Sequence, residues 1–292
     1  MNTFLQLTIN GAGSGAVFAL LALGFVIIYR ATGVVNFAHG SLVLVAGYLA
    51  IRAEESLGFV GAAAVGIIGA GVLAVIIERV LVANSRNADP LALVLLTIGV
   101  DVVALEEVAR RLGASAPFVR APWTGDVIHI GDVTVLKGQL VAFAVGVVLI
   151  AGLLAVFRFT GWGLAMRAQA ENREAAALMG VRNTQVTAAA WLIAGMLAGV
   201  AVIFLATPDF AGTGVSRTTH GLALLAFPAA IIGGLDSIGG AVLGGFIVGL
   251  TGAYTQQYIS FEFAKVAVYL VMLAVLVVRP SGLFGTKEIQ RV

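Results

Sequence analysis

The chain has 292 residues, of which 60% are hydrophobic and 11% charged, with a formal net charge of +2 and a mean hydropathy of +1.04. A soluble domain carries about 25% charged residues to cover its surface, so this surface must face lipid rather than water. The absence of cysteine excludes disulfides and thiolate metal sites, and the near-neutral balance without a basic tract excludes nucleic acid as a natural partner.

At about 20 apolar residues per span, the length suits one all-α polytopic membrane bundle of about 8–10 spans. The 37 glycines fall mostly inside apolar runs, where small residues let helix backbones approach closely. The first run has no Lys or Arg in Met1–Asn10 and continues to about Ile28, which predicts a retained span rather than a cleaved leader. Nine apolar segments follow in order: Thr8–Tyr29, Phe37–Ile51, Phe59–Val82, Leu91–Arg111, Gln139–Phe157, Gln185–Ala206, His220–Gly233, Ile238–Tyr254 and Phe261–Val278. The second, seventh and eighth are short, and read as tilted, broken or re-entrant helices.

Two connections exceed a turn. Residues 112–138 contain Pro117, Pro122 and Trp123, then two β-branched runs around Gly131-Asp132. This predicts an external loop with a small β-hairpin near 126–136. Residues 160–184 are polar and rich in helix formers, predicting a helix from Leu164 that ends at Gly180 as a C′ residue. If this loop is cytoplasmic, ten Lys and Arg fall on its side against seven opposite, as the positive-inside tendency requires. The amino terminus is then outside and the carboxyl terminus inside. An amphipathic connector of this kind lies in the lipid interface, docks on a soluble partner, or is simply solvated.

Several polar residues stand inside apolar runs. Asn36 is placed to cap the next helix, and Asn36 and His39 read either as capping and packing or as part of a gate. Asp101, near Thr97, stands mid-run, where an unpaired carboxylate costs roughly 2.5–3.5 kcal/mol. It must therefore face the bundle interior, a wet cavity or a partner. Glu106 with Arg110, and Glu107 with Arg111, are spaced for helical ion pairs. Gly195/Gly199, Gly240/Gly244 and Gly245/Gly249 have helix-packing spacing, while Pro208-Asp209 and Pro228 mark helix ends or kinks. No P-loop or H-E-x-x-H is present, and His39, His129 and His220 lack metal-ligand spacing. The residues thus predict no catalytic site, no metal and no cofactor.

Glu174-Ala175-Ala176-Ala177-Leu178-Met179-Gly180 resembles the EAA-x-x-x-G loop of ABC-importer membrane subunits, although the later Ile-x-Leu-Pro of that class is missing. Asn36-Phe37-Ala38-His39-Gly40, Gly233-Gly234-Leu235-Asp236-Ser237 and Arg279-Pro280-Ser281-Gly282-Leu283-Phe284-Gly285 are similar to the LIV-type branched-chain amino-acid permeases of the LivH kind. The resemblance covers most of the chain. It implies a single permease domain, 1–292, in a bacterial or archaeal cytoplasmic membrane, importing branched-chain amino acids. It implies three kinds of partner: a second homologous permease subunit forming a heterodimer, two cytoplasmic ATP-binding subunits, and a periplasmic or extracellular solute-binding protein. It places ATPase coupling at Arg167, Arg173, Glu174, Ala175 and Gly180. Candidate pathway or gate residues are Asn36, His39, Thr97 and Asp101. The same architecture importing urea or short amides is an alternative, as is a stand-alone secondary transporter or channel. An intramembrane enzyme is a third possibility that the missing motifs disfavour.

Overall fold

In a computed structural model, which describes residues 2–85, 89–131, 133–210 and 212–286, helix α1 (Asn2–Thr32) is the axis of the molecule. Its apolar stretch is 83% buried, with every side chain from Ala19 to Leu23 fully enclosed. It is apolar on all faces, as a helix surrounded by other helices must be. Around it pack α4 (Lys137–Phe159), α7 (Asn183–Leu205), α9 (Ala226–Gly233) and α10 (Ile238–Tyr258), and α2 (His39–Ile77) lies against α7. The outer positions go to α3 (Pro90–Leu112) and α11 (Phe261–Val278). The apolar stretch of α11 is only 11% buried, and exposed Val103, Val148 and Val277 form the apolar belt a bilayer requires.

By length and composition, six helices among the described residues are able to cross a membrane. One of these, His39–Val82, has 44 residues, about 66 Å if straight and twice the hydrocarbon thickness. It is in fact a hairpin. Gly58 has φ 63° and ψ −177°, a conformation open chiefly to glycine, and the chain reverses there. A Cβ on Gly66 would then lie 2.8 Å from the Ala46 carbonyl, and one on Gly69 2.5 Å from Leu49. The second and third apolar runs are thus the two arms of α2, and the second arm ends in a π-helical turn, Glu78–Val82. The seventh run is broken into α8 (Arg217–Leu224) and α9 (Ala226–Gly233), each about 12 Å long and too short to span alone.

The paired glycines mark the tightest crossings. A Cβ on Gly195 would approach the Ala70 carbonyl to 2.5 Å, and one on Gly199 the Ile67 Cα to 2.6 Å. Gly245 and Gly249 of α10 sit against the backbone of Ala19 and Gly15 in α1, and Gly240 and Gly244 against α9. The chain after α11 folds back on α9. Leu283 N–H donates to the Ile232 carbonyl at 2.8 Å and Phe284 N–H to the Gly233 carbonyl at 3.0 Å.

At one end of the bundle, strands β1 (Val127–Ile130) and β2 (Val133–Leu136) form an antiparallel hairpin with Val127 opposite Leu136. Asp132 of the expected turn lies outside the described residues, as do Arg86, Lys287 and Arg291, which entered the charge count for orientation. The loop before the hairpin is anchored by Val119 N–H to the Ala206 carbonyl at 3.1 Å, and by Trp123, stacked on Phe204 and edge-on to Phe59. At the opposite end lie α5 (Gly161–Glu171) and α6 (Arg173–Leu178). The single helix expected over residues 164–180 is therefore two. Asn172 is extended, with φ −154° and ψ 107°, and its side chain accepts from Ala175 N–H. It is an N-cap that ends one helix and starts the next.

Candidate functional site

Three regions carry polar groups that the packing alone does not require. The first is α5–α6. Arg167 folds back on the Phe157 carbonyl, and the Arg173 carbonyl accepts from Asn183 Nδ2 at 3.0 Å. Glu174 and Ala175 are exposed, Ala176 alone of this helix is buried, and Gly180 turns the chain at φ 87°. Beyond them, Leu178 and Met179 are 89% and 85% exposed, an apolar tip projecting away from the bundle. The loop is tied to the interior by a residue that the sequence did not single out. Buried Gln169 donates from Nε2 to the Ala31 carbonyl at 2.7 Å and to Thr187 Oγ1 at 3.2 Å. A displacement of α5 therefore pulls on the end of α1 and the start of α7.

The second region lies where α1 hands over to α2. After Gly33, at φ 73°, residues 33–38 form a non-helical segment among the spans. Asn36 does not cap α2 as expected. Its Oδ1 accepts from Ala38 N–H at 3.0 Å, a local turn, and the helix receives its cap from α3 instead. Asp101 Oδ1 accepts from Ser41 N–H at 3.0 Å, and both carboxylate oxygens lie 3.0 Å from His220 Nε2 on α8. One turn away on α3, Thr97 Oγ1 accepts from Phe37 N–H at 3.1 Å. Asp101 thus meets the requirement that a mid-bilayer carboxylate face inward to partners. The fold brings Asn36, Thr97 and Asp101 around one segment, whereas His39 turns away to α1. Its ring packs against Phe25 with centroids 4.6 Å apart and planes tilted by 54°, in space left by Gly24, where a Cβ would stand 2.7 Å from its Nε2. Phe227 of α9 packs on both Phe25 and Phe37, so the segment is plugged by aromatic rings. Glu107 pairs with both Arg110 and Arg111, at 2.9 and 2.6 Å. Glu106 does not take Arg110 as expected but reaches Arg217 of α8 at 2.5 Å.

The third region is a cavity of about 360 Å³ at the hairpin end, between α1, α10, α11 and the chain after α7. It descends from Lys265, Gln256 and Gln257 at its mouth to Phe18, Leu222 and Leu225. Asn10, Gln139 and Asp209 also line it. None was singled out as a site from sequence, since each stands near a helix end where an interfacial polar residue is ordinary.

A buried central helix, an apolar outer belt, a cavity at one end and an exposed apolar-tipped loop at the other define a multi-pass membrane protein of the transport class. Residues 7–277 match the family model described as branched-chain amino acid transport system, permease component. The chain belongs to this family. It is similar to the high-affinity branched-chain amino acid transport system permease protein LivH of Escherichia coli K12, 30% identical over 304 residues, covering 99% of this chain and 98% of that protein. BraD of Pseudomonas aeruginosa is 27% identical over 307 residues. A probable LivH of the archaeon Methanocaldococcus jannaschii is 30% identical over 294 residues, covering 93% of this chain and 90% of that one. Among solved structures, PsaBC from Streptococcus pneumoniae in complex with Fab aligns with a TM-score of 0.52 at 14% identity, covering 94% of this chain and 91% of that chain. That likeness concerns the fold alone.

Proposed function

We propose that this chain is the membrane-spanning subunit of an ATP-driven importer for branched-chain amino acids in a bacterial or archaeal cytoplasmic membrane. It pairs with a second, homologous permease subunit, receives solute from an external binding protein, and is driven by two cytoplasmic ATPases. The α5–α6 end then faces the cytoplasm, as does the carboxyl terminus, and the β-hairpin end faces outward. The observation that carries this reading is the exposed tip at Leu178 and Met179 on a loop whose other side is bonded, through Gln169, to the central helix. An isolated connector gains nothing from presenting two large apolar side chains to water, whereas a docking element does. Arg167, Arg173, Glu174, Ala175 and Gly180 frame the docking face. Asn36, Thr97 and Asp101, with the aromatic plug behind them, form the inner gate, and His39 belongs to the packing of that plug. Solute passes because ATP-bound and ATP-free partners favour different arrangements of these contacts.

The test is made on complexes reconstituted in liposomes with the neighbouring binding protein. Glu174→Lys and Gly180→Val are each expected to release the ATPases, or to abolish ATP-dependent leucine uptake, while leaving membrane insertion intact. Co-purification and uptake that both survive these changes refute the coupling role. Uptake driven by a gradient alone, with no ATPase subunits, identifies a stand-alone carrier instead. Urea or acetamide carried in preference to leucine identifies the alternative solute.

A further inference from the structure

The cavity at the hairpin end contains a polar arrangement that packing does not explain. Asn10 Oδ1, Gln139 Oε1 and Asp209 Oδ2 are buried and have no hydrogen-bond partner among the described residues. Gln139 is 4% exposed and Asp209 8%, and all three residues line the one cavity. A buried acceptor without a donor is costly, and a carboxylate more so. Asp209 is also fixed in place. Its Oδ1 accepts from Gly125 N–H at 3.0 Å, and its Oδ2 lies 2.7 Å from where a Cβ on Gly138 would stand, so only a glycine leaves it room there. Gln139 Nε2 donates to the Asp209 carbonyl at 3.4 Å, which leaves its oxygen as the free end. Across the mouth, Lys265 is exposed and makes no ion pair among the described residues. Below these groups the walls are apolar, with Phe18, Leu205, Leu222 and Leu225.

From this we infer that the cavity binds the zwitterionic head of an amino acid. Asp209, Gln139 and Asn10 receive the ammonium group, Lys265 meets the carboxylate, and the apolar walls take the side chain. The inference rests on the proposed substrate class and adds to it a location and a mode of recognition. The chemistry selects the ligand. Three acceptors, one of them charged, call for a cationic donor with several hydrogens, which an ammonium supplies. One fixed carboxylate and one cation sum to zero, matching a zwitterion. Urea and simple amides carry neither charge. An anionic lipid headgroup is repelled by Asp209. The volume lies at the small end of ligand pockets, about 300–1,000 Å³, as suits a single amino acid.

The experiment measures equilibrium binding of radiolabelled leucine to the purified transporter complex without the external receptor. Competition by 4-methylpentanoate, which lacks the ammonium, and by leucinamide, which lacks the carboxylate, is measured alongside. Asp209→Asn is expected to weaken leucine about tenfold or more, the usual loss for a charged hydrogen bond, and to leave 4-methylpentanoate unaffected. Lys265→Gln, at an exposed position that cannot disturb folding, should weaken leucine and leave leucinamide unchanged. Gln139→Leu removes the orphan acceptor at similar volume and should weaken both amines. Leucine affinity that ignores all three changes overturns the site. So does an equal loss for leucine and leucinamide in Lys265→Gln. Leucine uptake by the wild-type complex separates the two claims: uptake with insensitive binding refutes the site alone, and sensitive binding without uptake refutes the importer reading alone.

Discussion

Gln169→Leu isolates the link between the cytoplasmic loop and the central helix. Leucine keeps nearly the same volume, so the change removes the two hydrogen bonds to Ala31 and Thr187 without opening a cavity. Each such bond contributes about 0.5–1.5 kcal/mol net, so together they hold about 1–3 kcal/mol. Part of that loss appears as reduced stability of the protein in detergent. If the bonds are made in one transport state and broken in the other, the same quantity is the most by which they bias the equilibrium, about five- to 150-fold in population. The assay is the ratio of leucine imported to ATP hydrolysed in proteoliposomes. The complex should assemble and hydrolyse ATP, while the ratio falls at least fivefold. A variant that loses stability yet keeps its transport ratio shows that the tie only holds the fold together, and the proposed route of force from α5 into α1 is then wrong.

Two further changes test the packing and the inner polar cluster. Gly245→Val places a side chain against the backbone of Ala19, where neither partner can yield, and should cost about 3 kcal/mol or prevent folding. Gly152→Ala on α4, with nothing within 4 Å, should instead stabilise by about 0.5–1 kcal/mol; thermal unfolding in detergent reads both, and equal effects refute the assigned crossing. Asp101→Leu strips the cap from Ser41 N–H and leaves His220 without its partner, with an expected loss of about 1.5–3 kcal/mol. Asp101→Asn keeps an acceptor for Ser41 and should lose clearly less; if both variants unfold at the same temperature, the bond to Ser41 contributes nothing.

The spans were legible because lipid leaves few choices: a run that is apolar on every side has to be helix. Even the reversal at Gly58 was visible as a gap between two runs, since the polar stretch Arg52 to Ser56 interrupts the apolar pattern. The division of the cytoplasmic loop was hidden by strong helix formers on both sides of Asn172, although an Asn two residues before Glu174 is itself a start signal. The partners of Asp101 were not legible at all. His220 follows 119 residues later, and no periodicity relates positions on different helices. Glu106 shows the same limit, since spacing favoured Arg110 and the fold supplied Arg217. Asn10, Gln139 and Asp209 escaped notice for a related reason. Each is unremarkable within its own helix end, and only the convergence of three chain segments gives them a common surface.

The return of the chain after α11 has a consequence for what evolution or an engineer can alter there. The lock between Leu283, Phe284 and the last turn of α9 is made by peptide groups, which are the same whatever side chains they carry. Recoding those positions should therefore leave the lock closed, while cutting the chain after Val278 opens it. The final helix, packed on α10 and α9 along one face only, would then lose the tie at its far end.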